Sequence, residues 1–201
     1  MNLINRVIKR AFDIIASFIG IVILSPILLG VSIAIKIDSK ESIFFKQVRV
    51  GKNEKRFNIL KFRTMIVNAE NLGKQITIGK DKRITKVGAL LRKFKIDELP
   101  QLINVFKGDM SLVGPRPEVP KYVDMYNEEQ KKVLKVRPGI TDIASLRYKD
   151  ENDILGKVKN PEEYYINTIM PDKLKLNLEY IEKNNIIFDL FLIIKTIIKC
   201  V

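Results

Sequence analysis

The chain has 201 residues, with 36 Lys and Arg against 23 Asp and Glu, no His, no Trp and a single Cys. One compact domain is the default at this length, and the missing His excludes Ser-His-Asp, Cys-His and His-metal chemistry, while one Cys excludes disulfide frameworks, thiolate zinc sites and CxxC redox centres. Catalysis must then rest on carboxylates, Lys, Arg, hydroxyls or a hard metal ion held by oxygen, and the formal charge of +13 points to nucleic acid, phosphate-bearing substrates or an anionic membrane face.

A mean hydropathy near zero in so charged a chain means that the apolar residues are concentrated, and they lie at the two ends. Ile14 to Ile35 is 22 residues without a charge, about 33 Å as a helix and enough to cross a hydrocarbon core. The run continues straight to Lys36 without the short apolar region and small-residue site of a cleaved signal peptide. Two readings stay open from the residues alone: a spanning helix, and a re-entrant one that returns to the same face. Ser25-Pro26 lies mid-segment, where proline removes a backbone hydrogen bond and predicts a kink, and the Ser25 hydroxyl can satisfy a freed backbone group. Both flanks are basic, Arg6, Lys9 and Arg10 before and Lys36, Lys40 and Lys46 after, which fits two cytoplasmic ends. Asp13 follows Arg10 at helical spacing and is expected to pair with it.

The middle of the chain reads as a small α+β domain, mostly helical. Phe45, Val48 and Val50, the turn Gly51-Lys52-Asn53-Glu54, and Phe57, Ile59 and Phe62 predict a β-hairpin over 43–63. Residues 69–80 are polar and Gly-punctuated and read as a mobile loop. Val87, Leu90, Leu91 and Phe94 predict a helix over 86–94 with one core face and one basic face. Asp97 is a favourable N-cap type for the next helix, with Pro100 in its first turn and Gly108 at its end. Ser111 to Pro117 reads as a stiff loop that fixes Arg116 between two prolines. Asn127 to Arg137 reads as a helix, acidic first and basic last, stopped by Pro138-Gly139. Further helices are expected through 162–184. Ile186 to Val201 predicts an amphipathic helix in the membrane interface or on the core, with Asp189, Lys195 and Lys199 off its apolar stripe and Cys200 as a free thiol.

There is no GxGxxG motif. Gly73 to Lys80 has the wrong glycine spacing for a phosphate loop, and Asp81 stands where that loop needs Ser or Thr. What remains is Asp97-Glu98. Adjacent carboxylates at a helix start are, taken alone, charges that complement the dipole. Their setting, after a dense basic segment and before the Pro-Arg-Pro loop, suits a site binding Mg²⁺ and phosphate oxygens together, and a carboxylate can also act as a nucleophile.

The chain resembles the bacterial sugar transferases, specifically the small monotopic phosphoglycosyl transferases. The resemblance is carried by Phe45 to Gly51, Leu60 to Met65, Asp81 to Thr85, Ile96 to Leu102, Lys107 to Pro117 and Val136 to Thr141, with Lys9 to Asp13 and Ser25-Pro26. It implies transfer of a phospho-sugar from a UDP-sugar to polyprenyl (undecaprenyl) phosphate, with release of UMP. Asp97 is then the nucleophile and carries a covalent phospho-sugar; Glu98 assists with Mg²⁺ or protons; Arg116 holds a phosphate; and Lys61, Arg63 and Arg137 are further anion contacts. The resemblance also implies a re-entrant helix broken at Ser25-Pro26 over residues 1–38, and a catalytic domain over 39–201 on the cytoplasmic face of the bacterial inner membrane, among lipids and away from nucleic acid. The chain departs from many relatives at Asp142 to Tyr148 and at Asn177, and neither is given a role. A membrane-tethered nucleic-acid-binding protein is the alternative in another class, though no known module pattern is present. A non-catalytic scaffold is the third, opposed by the intact Asp97, Glu98 and Arg116.

Overall fold

The computed structural model describes residues 3–38, 42–66, 69 and 81–200. The loop expected over 69–80 lies, apart from Ala69, outside them, and so does the Cys200 thiol. Helix α1 covers Leu3–Asp38 without division at Pro26. Its 36 residues reach about 54 Å. Only 6% of its most apolar window is buried, so length and composition make it fit to cross a membrane. Pro26 has no N–H for the Val22 carbonyl one turn back. The Ser25 hydroxyl donates to that oxygen at 2.7 Å, the compensation expected from the sequence.

Strands β1 (Phe44–Val50) and β2 (Arg56–Phe62) pair antiparallel, Phe44 facing Phe62 and Val50 facing Arg56. Asn53 and Glu54 take left-handed φ values of 54° and 62° in the connecting turn, which Asn tolerates well and Glu less so. Helix α2 (Lys86–Lys93) is capped by Thr85, whose side chain accepts from the Gly88 N–H. Helix α3 (Gln101–Lys107) ends at Gly108, whose φ of 99° suits the residue type. Asn104 on α3 accepts from Leu60 N at 2.9 Å and donates to Asn58 O at 2.9 Å. The side chain thus continues the ladder of β2 and fixes α3 against it.

Strand β3 (Ser111–Val113) runs parallel to β4 (Gly139–Thr141), where the sequence predicts only a stiff loop and a helix stop. Three-residue strands are too short to show a period of two. Their pairing is set by close backbone approach: a Cβ on Gly139 would stand 2.1 Å from Gly114 N. Helices α4 (Pro120–Val123), α5 (Ile143–Arg147), α6 (Glu151–Gly156) and α7 (Pro161–Tyr164) are short, and α8 (Met170–Lys183) and α9 (Ile186–Cys200) are the long C-terminal pair. The helix expected over 127–137 is instead a 3-10 segment at Gln130–Lys135 that buries only the adjacent Val133 and Leu134. One adjacent pair makes no i, i+3, i+4 stripe to support a longer helix.

The main core gathers Val50, Tyr122, Tyr126, Leu155, Tyr165 and Ile169, among others. Ile35 near the end of α1 packs with Phe62 and Leu91, seating α1 on the hairpin and α2. At the other end of α1, Arg10 donates to the carbonyls of Val105 (2.8 Å) and Phe106 (3.0 Å), where a cation complements the C-terminus of α3. Asp13, 2% exposed, interacts with the charge of Arg10, as expected, and with that of Lys9, but makes no hydrogen bond to Arg10. It accepts from Ser111 Oγ and Leu112 N. Asp189 is also not solvated: it is 1% exposed, ion-paired with Lys9 and bonded to Tyr180 Oη at 2.5 Å. The outward side of α9 carries exposed Ile187, Phe191, Ile194 and Ile198.

Candidate active site

The turn that carries the two carboxylates is made by one strained residue. Lys95, just past α2, takes a left-handed φ of 56°, uncommon outside Gly, Asn and Asp. The chain thereby turns into a 3-10 segment at Ile96–Glu98 before α3 begins. Asp97 is therefore not the N-cap of α3; that position belongs to Pro100. The reason is local: Pro100 lacks a backbone donor and starts the helix after itself. Freed from capping, the pair faces a large open cleft lined by Lys61, Arg63, Arg92, Lys95, Arg116 and Tyr165 among others.

Glu98 is held by two cations. Lys61 on β2 donates to Oε1 at 2.8 Å, and Arg116 donates from Nη2 to Oε1 at 2.5 Å and from Nη1 to Oε2 at 3.3 Å. Burial alone would raise its pKa, but Arg116 and Lys61 outweigh this and hold the carboxyl well below the usual range. In return Glu98 raises the pKa of Arg116, while burial lowers that of Lys61 despite Glu98. Asp97 is 8% exposed, and its buried Oδ1 has no hydrogen-bond partner. Burial, then the neighbouring Glu98 charge, raises its pKa, against the pull of Lys61, Arg92 and Lys95. Two adjacent carboxylates are thus driven apart in character, one locked in an ion pair and one carrying an unused buried oxygen.

That oxygen is what a hard divalent ion would use. Among the described residues no group of three or more acidic, His or Cys side chains gathers, so an ion at Asp97 would complete its shell with water and phosphate oxygens, as suits Mg²⁺. Glu98, expected to share the ion, has its oxygens committed to Lys61 and Arg116.

Of the other expected contacts, Arg63 lines the cleft and donates to Ser42 O and Oγ. Arg137 is not among the lining residues; its Nε donates to Gly108 O at 3.0 Å and secures the end of α3. Two residues were not singled out from the sequence. Arg92, anchored by Nε to Thr64 Oγ1 at 2.9 Å, lines the cleft beside Asp97; its signal was only its place on the basic face of α2. Arg49 donates to Pro117 O at 3.2 Å and to Glu118 Oε1 at 3.0 Å, and Tyr165 donates to Glu118 Oε2 at 2.5 Å. This network pins the Pro-Arg-Pro segment that presents Arg116, and no local motif marks it, because its members are far apart in the chain.

A family model described as "Bacterial sugar transferase" matches residues 4–201. The chain is 43% identical over 165 residues, 79% of its length, to a UDP-N-acetylgalactosamine-undecaprenyl-phosphate N-acetylgalactosaminephosphotransferase of Aeromonas hydrophila, covering 39% of that protein. It is 41% identical over 186 residues, 90% of its length, to a UDP-glucose:undecaprenyl-phosphate glucose-1-phosphate transferase of Klebsiella pneumoniae, covering 40% of it. The chain therefore spans about two fifths of the length of these two relatives. It is also 35% identical over 202 residues to the exopolysaccharide production protein PSS of Rhizobium leguminosarum bv. phaseoli, which it matches almost end to end, 96% of this chain and 95% of that one.

Proposed function

Because this chain belongs to the bacterial sugar transferase family, we propose that it moves a phospho-sugar from a UDP-sugar to polyprenyl phosphate and releases UMP. The observation that carries this reading is the unpartnered, buried Oδ1 of Asp97 amid the cations of the cleft. The Asp97 carboxylate attacks the sugar-linked phosphorus of the UDP-sugar. An aspartyl–phosphorus bond forms, the bond between that phosphorus and the bridging oxygen breaks, and UMP leaves with the electron pair. An oxygen of polyprenyl phosphate then attacks the same phosphorus, and the carboxylate of Asp97 is restored. Lys61 and Arg92 neutralise phosphate oxygens as charge moves, and the planar fork of Arg116, kept in place by Glu98, meets a phosphate edge. Mg²⁺ held at Asp97 would supply Lewis-acid neutralisation of the phosphates.

Residues 1–38 serve as the membrane segment, re-entrant at Ser25-Pro26, and residues 39–201 form the catalytic domain on the cytoplasmic face. The basic wall of the cleft and the basic flanks of α1 answer to substrate phosphates and anionic headgroups, which accounts for the +13 charge without nucleic acid. The two named relatives above act on different sugars, so a panel is the fitting test. Purified protein with Mg²⁺, undecaprenyl phosphate and a set of UDP-sugars is expected to release UMP with at least one of them, and Asp97→Asn with none. No release from any sugar would end the reading.

A further inference from the structure

A short stretch of α1 grips three elements of the domain at once. Lys9 ion-pairs with Asp189 of α9, Arg10 donates to two carbonyls near the end of α3, and Asp13 reaches β3. The first two contacts fasten helices. The third is of another kind, because it replaces a missing strand. The backbone N–H groups of a strand alternate between its two edges. On one edge β3 pairs with β4, where the Ser111 N–H donates to Pro138 O at 2.8 Å. The Leu112 N–H leaves from the other edge, and among the described residues no second strand pairs with β3 there. Asp13 Oδ1 takes that place: it accepts from Leu112 N at 3.0 Å and from Ser111 Oγ at 3.1 Å. Both Asp13 and Ser111 are buried, so bulk water does not serve these donors, and leaving them unmet is costly.

From Leu112 the backbone is held step by step to Arg116. The Gly114 N–H donates to Thr141 O at 3.0 Å, and Pro115 O accepts from the Gly139 N–H at 3.0 Å. Arg116 follows directly, with its fork on Glu98. Asp13 is thus the first point in a line of bonds that ends at the guanidinium. Anchoring alone does not call for a carboxylate here. Ile35 seats the other end of α1 by apolar contact with Phe62 and Leu91, and burying a carboxylate costs far more than burying an alkyl group. What the carboxylate adds is direction. Apolar contact is non-directional, whereas a hydrogen bond fixes where the strand lies along the helix.

We propose that Asp13 is a positioning residue of the active site, which holds β3 in register from α1 and through it sets Arg116 against Glu98 and the substrate phosphate. The proposal rests on the transferase reading, which gives Arg116 its phosphate, and extends it to α1: the helix is part of the scaffold of the site. The acceptor oxygen carries the effect, since both bonds end on Oδ1. An amide in place of the carboxyl therefore serves, and an alkyl group does not.

The test uses the full chain in vesicles, with undecaprenyl phosphate and a UDP-sugar that the wild type consumes. Asp13→Asn keeps an acceptor at Oδ1, and Asp13→Leu is similar in size and has none. For Asp13→Asn, kcat/KM is expected to stay within about twofold of wild type, while for Asp13→Leu it falls about tenfold or more. Equal losses in the two variants, or none in either, would overturn the proposal. A double-mutant cycle with Arg116→Lys separates positioning from general support of the fold. Once the planar fork is gone, Asp13→Leu is expected to cost less than about threefold more, and the same loss in both backgrounds would overturn the proposal. If Asp13→Leu does not fold, Ser111→Ala, which removes one of the two donors with little change of volume, runs the same cycle with the same expected pattern. Hydrogen exchange gives an answer independent of activity. The Leu112 amide should exchange faster in Asp13→Leu than in Asp13→Asn, and equal rates would overturn the contact on which the proposal stands. A wild type that releases no UMP with any donor removes the transferase reading instead, and the exchange comparison still decides whether Asp13 holds the strand.

Discussion

Arg116 lays its two terminal nitrogens across the two carboxylate oxygens of Glu98, at 2.5 and 3.3 Å. The prolines on either side and the Arg49 bond to Pro117 O fix the guanidinium as well as the carboxylate. Glu98 is therefore a holder of cations before it is anything else. Replacing Arg116 by Lys keeps the charge and loses the planar fork. kcat/KM is expected to fall on the order of 10²-fold, a loss of about 2.7 kcal/mol in transition-state binding. Steady-state kinetics checks this, and wild-type kcat/KM in Arg116→Lys would show that charge alone suffices.

The same ion pair predicts a pH dependence of stability. The carboxyl of Glu98 sits well below its ordinary value when folded. Its stabilising contribution is thus complete above the unfolded value near about 4.3 and is lost as pH falls toward the folded value. Glu98→Gln leaves Lys61 and Arg116 without their counter-charge and is expected to cost on the order of 3 kcal/mol at pH 7. The gap in melting temperature between wild type and variant should shrink steadily from pH 5 to pH 3. A gap that stays constant over this range would mean that the pair does not control it.

Asp97 moves the opposite way. Burial and the adjacent Glu98 raise its pKa, so, if Asp97 acts as proposed, the unliganded protein should lose its attacking carboxylate at a pH above the ordinary aspartate value of about 3.9. The acid limb of kcat/KM reports this directly, and a limb at or below the ordinary value would contradict it. A raised carboxyl favours the folded state in acid and loses that advantage as pH rises through its folded pKa. Asp97→Asn is therefore expected to be inactive yet more stable than wild type at neutral pH, by about 1 kcal/mol, with the difference vanishing in acid. Thermal unfolding at pH 4 and pH 7.5 separates the two cases.

The balance between what was legible and what was not follows from range. The hairpin, α2, α3 and the long end helices are written in local periodicity and turn residues, so Phe45 to Phe62 or Val87 to Phe94 reveal themselves in a short window. Asp97 and Glu98 stand out by their setting between a basic segment and the Pro-Arg-Pro loop, while their roles and that of Arg116 are implied by the family resemblance. The partners of Glu98 are less legible: Lys61 lies 37 positions away, and its contact depends on Asn104 locking α3 to β2. Asp189 stands off the apolar stripe of α9 yet is buried, because it meets Lys9, 180 positions away, and Tyr180 of the preceding helix, and a one-helix pattern registers neither contact. The β3–β4 pair escaped notice because backbone proximity at Gly114 and Gly139, with no hydrophobic alternation, defines it.

That proximity gives a further prediction. A Cβ on Gly139 would stand 2.1 Å from Gly114 N and 2.5 Å from Gly114 O, contacts that only backbone movement relieves. Gly139→Ala should separate the strands and shift Pro115 and Arg116 off Glu98. A stability loss of about 1–3 kcal/mol is expected, with a fall in kcat. Gly30→Ala is the control, since nothing lies within 4 Å of a Cβ there, and it should match wild type in both. A Gly139→Ala protein as stable and active as the control would show that the strand contact does not position Arg116.

The membrane segment offers the sharpest structural alternative. Ser25 donates to Val22 O, the carbonyl that Pro26 leaves without a backbone donor. This replacement lets a proline persist where no water can serve the freed group. A helix of about 54 Å is longer than the roughly 30 Å hydrocarbon core, and both of its flanks are basic, which favours two ends on the cytoplasmic side. With Cys200→Ser as background, a cysteine placed at Asn2 and another at Ser39 should both react with an impermeant thiol reagent from the cytoplasmic side of inverted vesicles. Pro26→Ala restores the missing backbone donor and should move a measurable fraction of molecules to a spanning form, seen as protection of one of the two sites. Labelling of the wild type from opposite sides would establish a spanning helix. Labelling from the cytoplasmic side that is unchanged in Pro26→Ala would assign the re-entrant form to the basic flanks and to the contacts of Asp13 with Ser111 and Leu112 and of Ile35 with Phe62 and Leu91.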